Sequence, residues 1–150
     1  MAKSILTKFI FLFFCNQIFL FDIKPYENYY SSEPTGTVKE TLQRVSGNTW
    51  KISSIAKHPL FSIKQESIFE IANDLVILKS GYRKLDILGG LRKDYQSYET
   101  KLVDDKKFVI YSFGKKKHSV EIEENIYDNL TLQIQVKMNY LKKDQFKINY

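Results

Sequence analysis

From Thr49 onward the chain is divided into short segments of strand character by turn dipeptides. Eight candidate strands fall at 49–56, 60–71, 74–79, 82–88, 96–103, 107–113, 118–125 and 130–140, with a ninth at 145–150. Residues 74–79 and 82–88 also read as one long strand bent at Ser80-Gly81. The separators carry turn chemistry: Asn73-Asp74, Gly89-Gly90, Asp104-Asp105, Gly114-Lys115-Lys116 and Asp128-Asn129. Segments spaced by about 8–12 residues with short polar links are the pattern of an antiparallel meander.

Alternation sharpens that expectation. Leu130, Leu132, Ile134, Val136 and Met138 share one face of an extended segment, and Thr131, Gln133, Gln135 and Lys137 share the other. Val120 and Ile122 alternate with Glu121 and Glu123 in the same way. Such strands have one dry face and one wet face. Eight of them with short links tend to close, because closure removes exposed edges. The fold expected is all-β: an eight-stranded antiparallel up-and-down barrel preceded by a short N-terminal helix. That helix is read at 37–45, where Thr37 and Glu40 have capping-box spacing, Val38, Leu42 and Val45 follow a helical period, and Gly47 stands at the stop.

Two further segments precede the domain. Residues 1–21 read as a signal peptide or an N-terminal anchor. Lys3 and Lys8 form a positive start, and the stretch Phe9 to Phe21 is almost wholly apolar. That run suits a signal-peptide core and is short of the roughly 20 residues a membrane span needs. No A-x-A-like cleavage pair follows it. Residues 22–36, with tyrosines, serines and prolines and no period, read as a linker, leaving 37–150 as the domain. The expected location is therefore extracytoplasmic: secreted, periplasmic or membrane-tethered, touching the membrane only through the N-terminal segment. Cys15 is the sole cysteine, so a domain starting at residue 37 has no disulfide and must be held by packing.

The strand that opens the meander, Gly47-Asn48-Thr49-Trp50-Lys51-Ile52, carries the only tryptophan. Together with a leader, a short helix before it and the strands after it, Thr49-Trp50-Lys51-Ile52 resembles the first strand of the small bacterial lipocalin-like (calycin) domains. Their usual Gly-x-Trp spacing is Gly-x-x-Trp here. The resemblance implies a barrel whose interior holds one small hydrophobic molecule. The residues expected to line it are Ile52, Phe69, Ile71, Tyr111, Ile122, Leu132, Ile134 and Val136. Two other readings of the same pattern are a protein-interaction or inhibitor-type barrel with a solid core, and a small outer-membrane barrel. Lys79, Arg83 and Asp86 weigh against the last, because a charge at the bilayer midplane costs about 2–4 kcal/mol.

The residues offer no reaction. His58 and His118 lie in separate hairpins without metal-ligand spacing to other donors. Glu123 and Glu124 are strand neighbours that point to opposite faces. No serine or cysteine has a nucleophile's setting, and Gly89-Gly90 lacks the strand–loop–helix context of a phosphate site. The expectation is a non-enzymatic protein with no cofactor and no metal. Of 23 basic and 17 acidic residues, the bases are scattered among the acids, a distribution unlike a nucleic-acid footprint.

Overall fold

The computed structural model describes residues 23–32 and 35–147. The proposed targeting segment, with Cys15, lies outside the described residues. Eight strands follow one another: β1 (Tyr26–Ser32), β2 (Gly36–Ser46), β3 (Thr49–His58), β4 (Phe61–Ala72), β5 (Leu75–Ile87), β6 (Arg92–Val103), β7 (Lys106–Phe113) and β8 (Lys116–Ile122). A 3₁₀ turn, Leu88–Gly90, links β5 to β6, and one helix, α1 (Asn129–Lys147), ends the fold. The strands form a single antiparallel sheet in strict chain order, and β1 does not pair with β8. The meander is as expected; the barrel is not, because the sheet stays open.

The turn dipeptides explain the hairpins. Asn73, Asp74, Asp104 and Asp105 all have positive φ, between 49° and 63°. Two successive left-handed residues make the type I′ turn whose twist matches that of the flanking strands, and Asn and Asp tolerate that conformation best after glycine. Gly47 (φ 48°) serves a turn between β2 and β3 rather than a helix stop. Residues 75–87 form one continuous strand, the long-strand reading of that stretch. It carries a register shift: Ile68 faces Ser80, whereas Phe69 faces Leu78, so Lys79 is an extra, bulged residue. Pairing with β6 begins only at Ser80. The bulge thus divides β5 into a first half that runs with β4 alone and a second half that carries the sheet on to β8.

Three expectations are overturned. Residues 26–32, read as linker, form the edge strand β1. Residues 37–45, read as a helix, lie in β2, where Val38, Glu40 and Leu42 alternate towards the side of the sheet that the helix covers. Burying Glu40 against the Tyr26 hydroxyl (2.6 Å) joins β2 to β1, and that long-range contact overrides a local capping pattern. Residues 130–140, read as a strand, are helical, and α1 takes in 145–147 of the ninth candidate, leaving 148–150 outside the described residues. Alternating apolar residues contain a second period: Leu130, Ile134 and Met138 are four apart, and they are the buried ones, at 4%, 2% and 1% exposure. Leu132 and Val136 point away, at 48% and 56%.

These helix residues meet Leu42, Trp50, Ile52, Phe69 and Val76 to form the core. The stripe lies across β3, β4 and β5 and seals the dry face there. A flat layer of helix does what curling would have done, so the sheet has no need to close. Arg44, directly opposite Trp50 in the register, lays its guanidinium over the indole at 5.8 Å.

Helical and extended readings of 130–140 give opposite mutational patterns. Ile134→Ala and Met138→Ala should each cost about 2–5 kcal/mol, and Leu132→Ala and Val136→Ala less than about 0.5 kcal/mol, measured by urea unfolding.

Candidate binding site

The helix is fixed at its start by Asp128. The Asp128 carbonyl accepts the first helical hydrogen bond from Leu132 N–H (2.9 Å), and its Oδ1 accepts Thr131 N–H (2.8 Å). Thr131 returns the contact, its Oγ1 accepting from Asp128 N–H at 3.0 Å, a reciprocal cap built from Asp-x-x-Thr. Asp128 Oδ2 also accepts the hydroxyls of Ser67 on β4 and Tyr98 on β6. Tyr98 reaches it by lying across Gly81, which sits between Ser67 and Tyr98 in the register. A Cβ on Gly81 would run into Tyr98 and approach the Glu66 carbonyl oxygen to 2.6 Å. Further along α1, Gln135 accepts Val76 N–H (2.7 Å) and donates to the Asp74 carbonyl (3.1 Å). Its amide therefore stands in for a neighbouring strand along the half of β5 that β6 does not pair.

Beyond Tyr98 the helix covers nothing. β6, β7 and β8 extend beyond it as a wing, whose helix-side face meets the connector to α1 where Lys107 donates to Asn125 (2.8 Å). On the helix side, Tyr111 and His118 continue the row from Tyr98 and stack at 5.1 Å. The opposite face has more relief. One cross-strand row reads Glu66, Tyr82, Ser97, Ser112 and Lys117, and the next reads Ile68, Ser80, Glu99 and Ile110. Serines in the middle and large side chains around them leave a trough of about 290 Å³. Tyr82 and Tyr95 make its aromatic wall, with ring centroids 6.0 Å apart and planes 24° from parallel. Lys64 sits 5.6 Å above the Tyr82 ring. Glu66 and Glu99 bring carboxylates to the trough, and Glu99 is paired with Lys101 at 3.0 Å.

A second concavity of about 310 Å³ runs between α1 and the β1–β2 edge, lined by Ile23, Tyr26, Leu42, Ile134, Met138 and Leu141. Tyr26 marks its polar border. The Tyr26 hydroxyl donates to Glu40, and Lys137 lies 5.1 Å over its ring. Burial, and then the hydrogen bond to the Glu40 carboxylate, push the Tyr26 hydroxyl well above the ordinary tyrosine range.

The eight residues expected to line one cavity are dispersed. Ile52 and Phe69 are fully buried in the core, and Ile71 packs at its margin. Ile134 is buried beneath the helix and contributes to the apolar groove. Tyr111 and Ile122 belong to the wing, on its helix side, while Leu132 and Val136 face solvent from α1. The trough residues escaped the sequence reading. Their one signal was the run of polar alternation through Tyr95, Ser97 and Glu99, which looks like any solvated face until the register sets those residues beside Tyr82, Ser80 and Ser112. His58 stacks on Phe61 (4.9 Å) and accepts Leu60 N–H, a turn contact. Among the described residues no helix is long and apolar enough to cross a membrane.

The fold and site define an open antiparallel meander backed by one C-terminal helix, with a polar–aromatic trough on the bare side of the sheet. Compared with family models, curated proteins and solved structures, the chain finds no match in any of the three.

Asp128→Ala removes the acceptor for Ser67, Tyr98 and the helix cap together. It should cost about 2–4 kcal/mol in urea unfolding. A second expectation concerns alkaline pH. The folded chain keeps the Tyr26 proton at pH values where the unfolded chain has released it, so this stability is complete below a pH of about 10 and falls as pH rises past it. Unfolding midpoints compared at pH ~9 and ~11 should fall less in Tyr26→Phe than in the parent.

Proposed function

We propose that this protein is a non-enzymatic, extracytoplasmic binding module that holds a saccharide in the trough of its open sheet face. The observation that carries the reading is the coexistence, in one depression, of an aromatic wall (Tyr82 and Tyr95), small hydroxyl side chains (Ser80, Ser97, Ser112) and carboxylate acceptors (Glu66, Glu99). A pyranose ring presents a C–H face that suits the electron-rich face of a tyrosine and a rim of hydroxyls that suits serines and carboxylates. The charges of the trough are mixed, Glu66 and Glu99 with Lys117, and select for neither sign of ligand. A wholly apolar one would strip water from them without replacing its hydrogen bonds. The trough is open along its length and Glu99 is committed to Lys101, which favours binding over turnover. The apolar N-terminal run with Lys3 and Lys8 supports the extracytoplasmic placement.

The apolar groove beside α1 supports a second reading, in which a small hydrophobic molecule sits against Leu42, Ile134 and Met138. It retains the apolar ligand expected from the sequence and moves it from a barrel interior to the helix–sheet seam.

An array of neutral oligosaccharides, followed by calorimetric titration of the full-length protein with those retained, tests the first reading. Tyr95→Ala should weaken binding tenfold or more, and Tyr111→Ala, on the other face of the wing, should leave it unchanged. No retained glycan, or equal losses from both substitutions, would reject the trough as the site. Saturable binding of an apolar fluorophore that Tyr95→Ala does not alter would favour the groove.

A further inference from the structure

Among the described residues nothing pairs with the outer edge of β8. An unpaired edge offers a row of backbone donors and acceptors to any extended segment, and proteins commonly guard such edges with lysines, because like charges then meet on association. The charges along β8 and its flanks are sorted rather than scattered. Lys115, Lys116 and Lys117 come first, then His118, Ser119 and Val120, then Glu121, Glu123 and Glu124 around Ile122.

We infer that β8 pairs antiparallel with β8 of a second copy, about a two-fold axis through Ser119, to give a sixteen-stranded sheet. In that register Lys117 of each chain stands opposite Glu121 of the other. The pair occurs twice by symmetry, as in any two-fold interface. Cross-strand opposite charges stabilise a sheet, and directly opposed like charges destabilise it. Within β8 itself, shifting the chains by one step that keeps the same faces together sets Lys117 opposite Ser119, or Glu121 opposite Ser119, and leaves no opposite-charge pair. Parallel pairing in register sets like on like. The other edge strand, β1, has Glu27 as its only charge and no base, so it offers no partner for Glu121.

Glu121 is already joined to Lys106 at 3.1 Å within its own chain. A carboxylate has lone pairs enough for both bases. On the helix side, Val120 (49% exposed) would face His118 of the other copy, extending the exposed row formed with Tyr111. On the opposite side the two troughs become parts of one continuous surface. Their centres, near β6, are then five strand spacings apart, about 24 Å.

The test uses the full-length chain in mild detergent, with Cys15→Ser and Ser119→Cys, oxidised with copper–phenanthroline and resolved without reductant. A cysteine on the axis should give a covalent dimer and nothing larger. Adding Lys117→Glu should lower the yield at least tenfold, and adding Glu121→Lys to that variant should restore it, since the swap rebuilds each pair with its charges exchanged. Circular dichroism shows that each variant is folded, and Gln43→Cys on β2 gives the yield from random collision. The inference is overturned by a Ser119→Cys yield no higher than that background, by a yield indifferent to charge reversal, or by a ladder of higher oligomers. None of these readouts depends on a bound saccharide.

Discussion

A single β-sheet cannot shelter its own apolar face, and everything in this fold follows from how that face is covered. Leu130, Ile134 and Met138 of α1 lie on Leu42, Ile52, Phe69 and Val76. Full burial of an aliphatic or aromatic side chain of this size is worth about 1.5–3 kcal/mol, so this seam holds most of the stabilising contact in the molecule. It also sets the limits of the fold. Where the helix lies, the sheet has a dry face; where it stops, near Tyr98, the remaining strands are met on that side by the connector through Asn125 rather than by the helix. The open wing is the direct result of a helix that spans only part of an eight-stranded sheet.

Polar contacts set the helix in register rather than supplying the bulk of its attraction. Asp128 gathers the cap of α1, Ser67 and Tyr98 at one point, and Gln135 takes the backbone of β5 where β6 departs. The Gln135 contacts lie towards the start of β5, and the Asp128 contacts beside the β5 bulge. Gly81 is needed there because the Tyr98 ring passes over the place a side chain would fill. The same bulge turns Ser80 towards the opposite face and opens the trough among Ser80, Ser97 and Ser112. One extra residue in a strand thus positions both the helix clamp and the candidate site.

The sequence announced its hairpins more clearly than its helix. Asn73-Asp74 and Asp104-Asp105 are local signals, decided within two residues, and their left-handed backbone followed as expected. The helix and the first strands turn on contacts far apart in the chain. Leu130, Ile134 and Met138 fit a period of four as well as Leu130, Leu132 and Ile134 fit a period of two; what decides between them is the Asp128–Thr131 cap, whose Asp128-Asn129 reads as a turn and whose Thr131 reads as strand. Thr37 and Glu40 mimic a capping box, but Glu40 is buried against Tyr26, fourteen residues away. The trough was illegible for a related reason. Its serines and tyrosines come from three strands, and only the register makes them neighbours.

Because each strand touches only the strands before and after it in the chain, the sheet can assemble hairpin by hairpin, each step closing a short loop at little entropic cost. The exception is the arrival of α1, which must bring Asp128 to Ser67 and Gln135 to Val76, 61 and 59 residues apart. Docking of the helix closes the longest loops of the fold and covers β3, β4 and β5, while β6 is tied to it only through Tyr98. Local opening is expected to be rarest beneath the helix and commoner towards β8, which has one neighbouring strand. The strand most available to another chain is thus the one that costs the fold least to move.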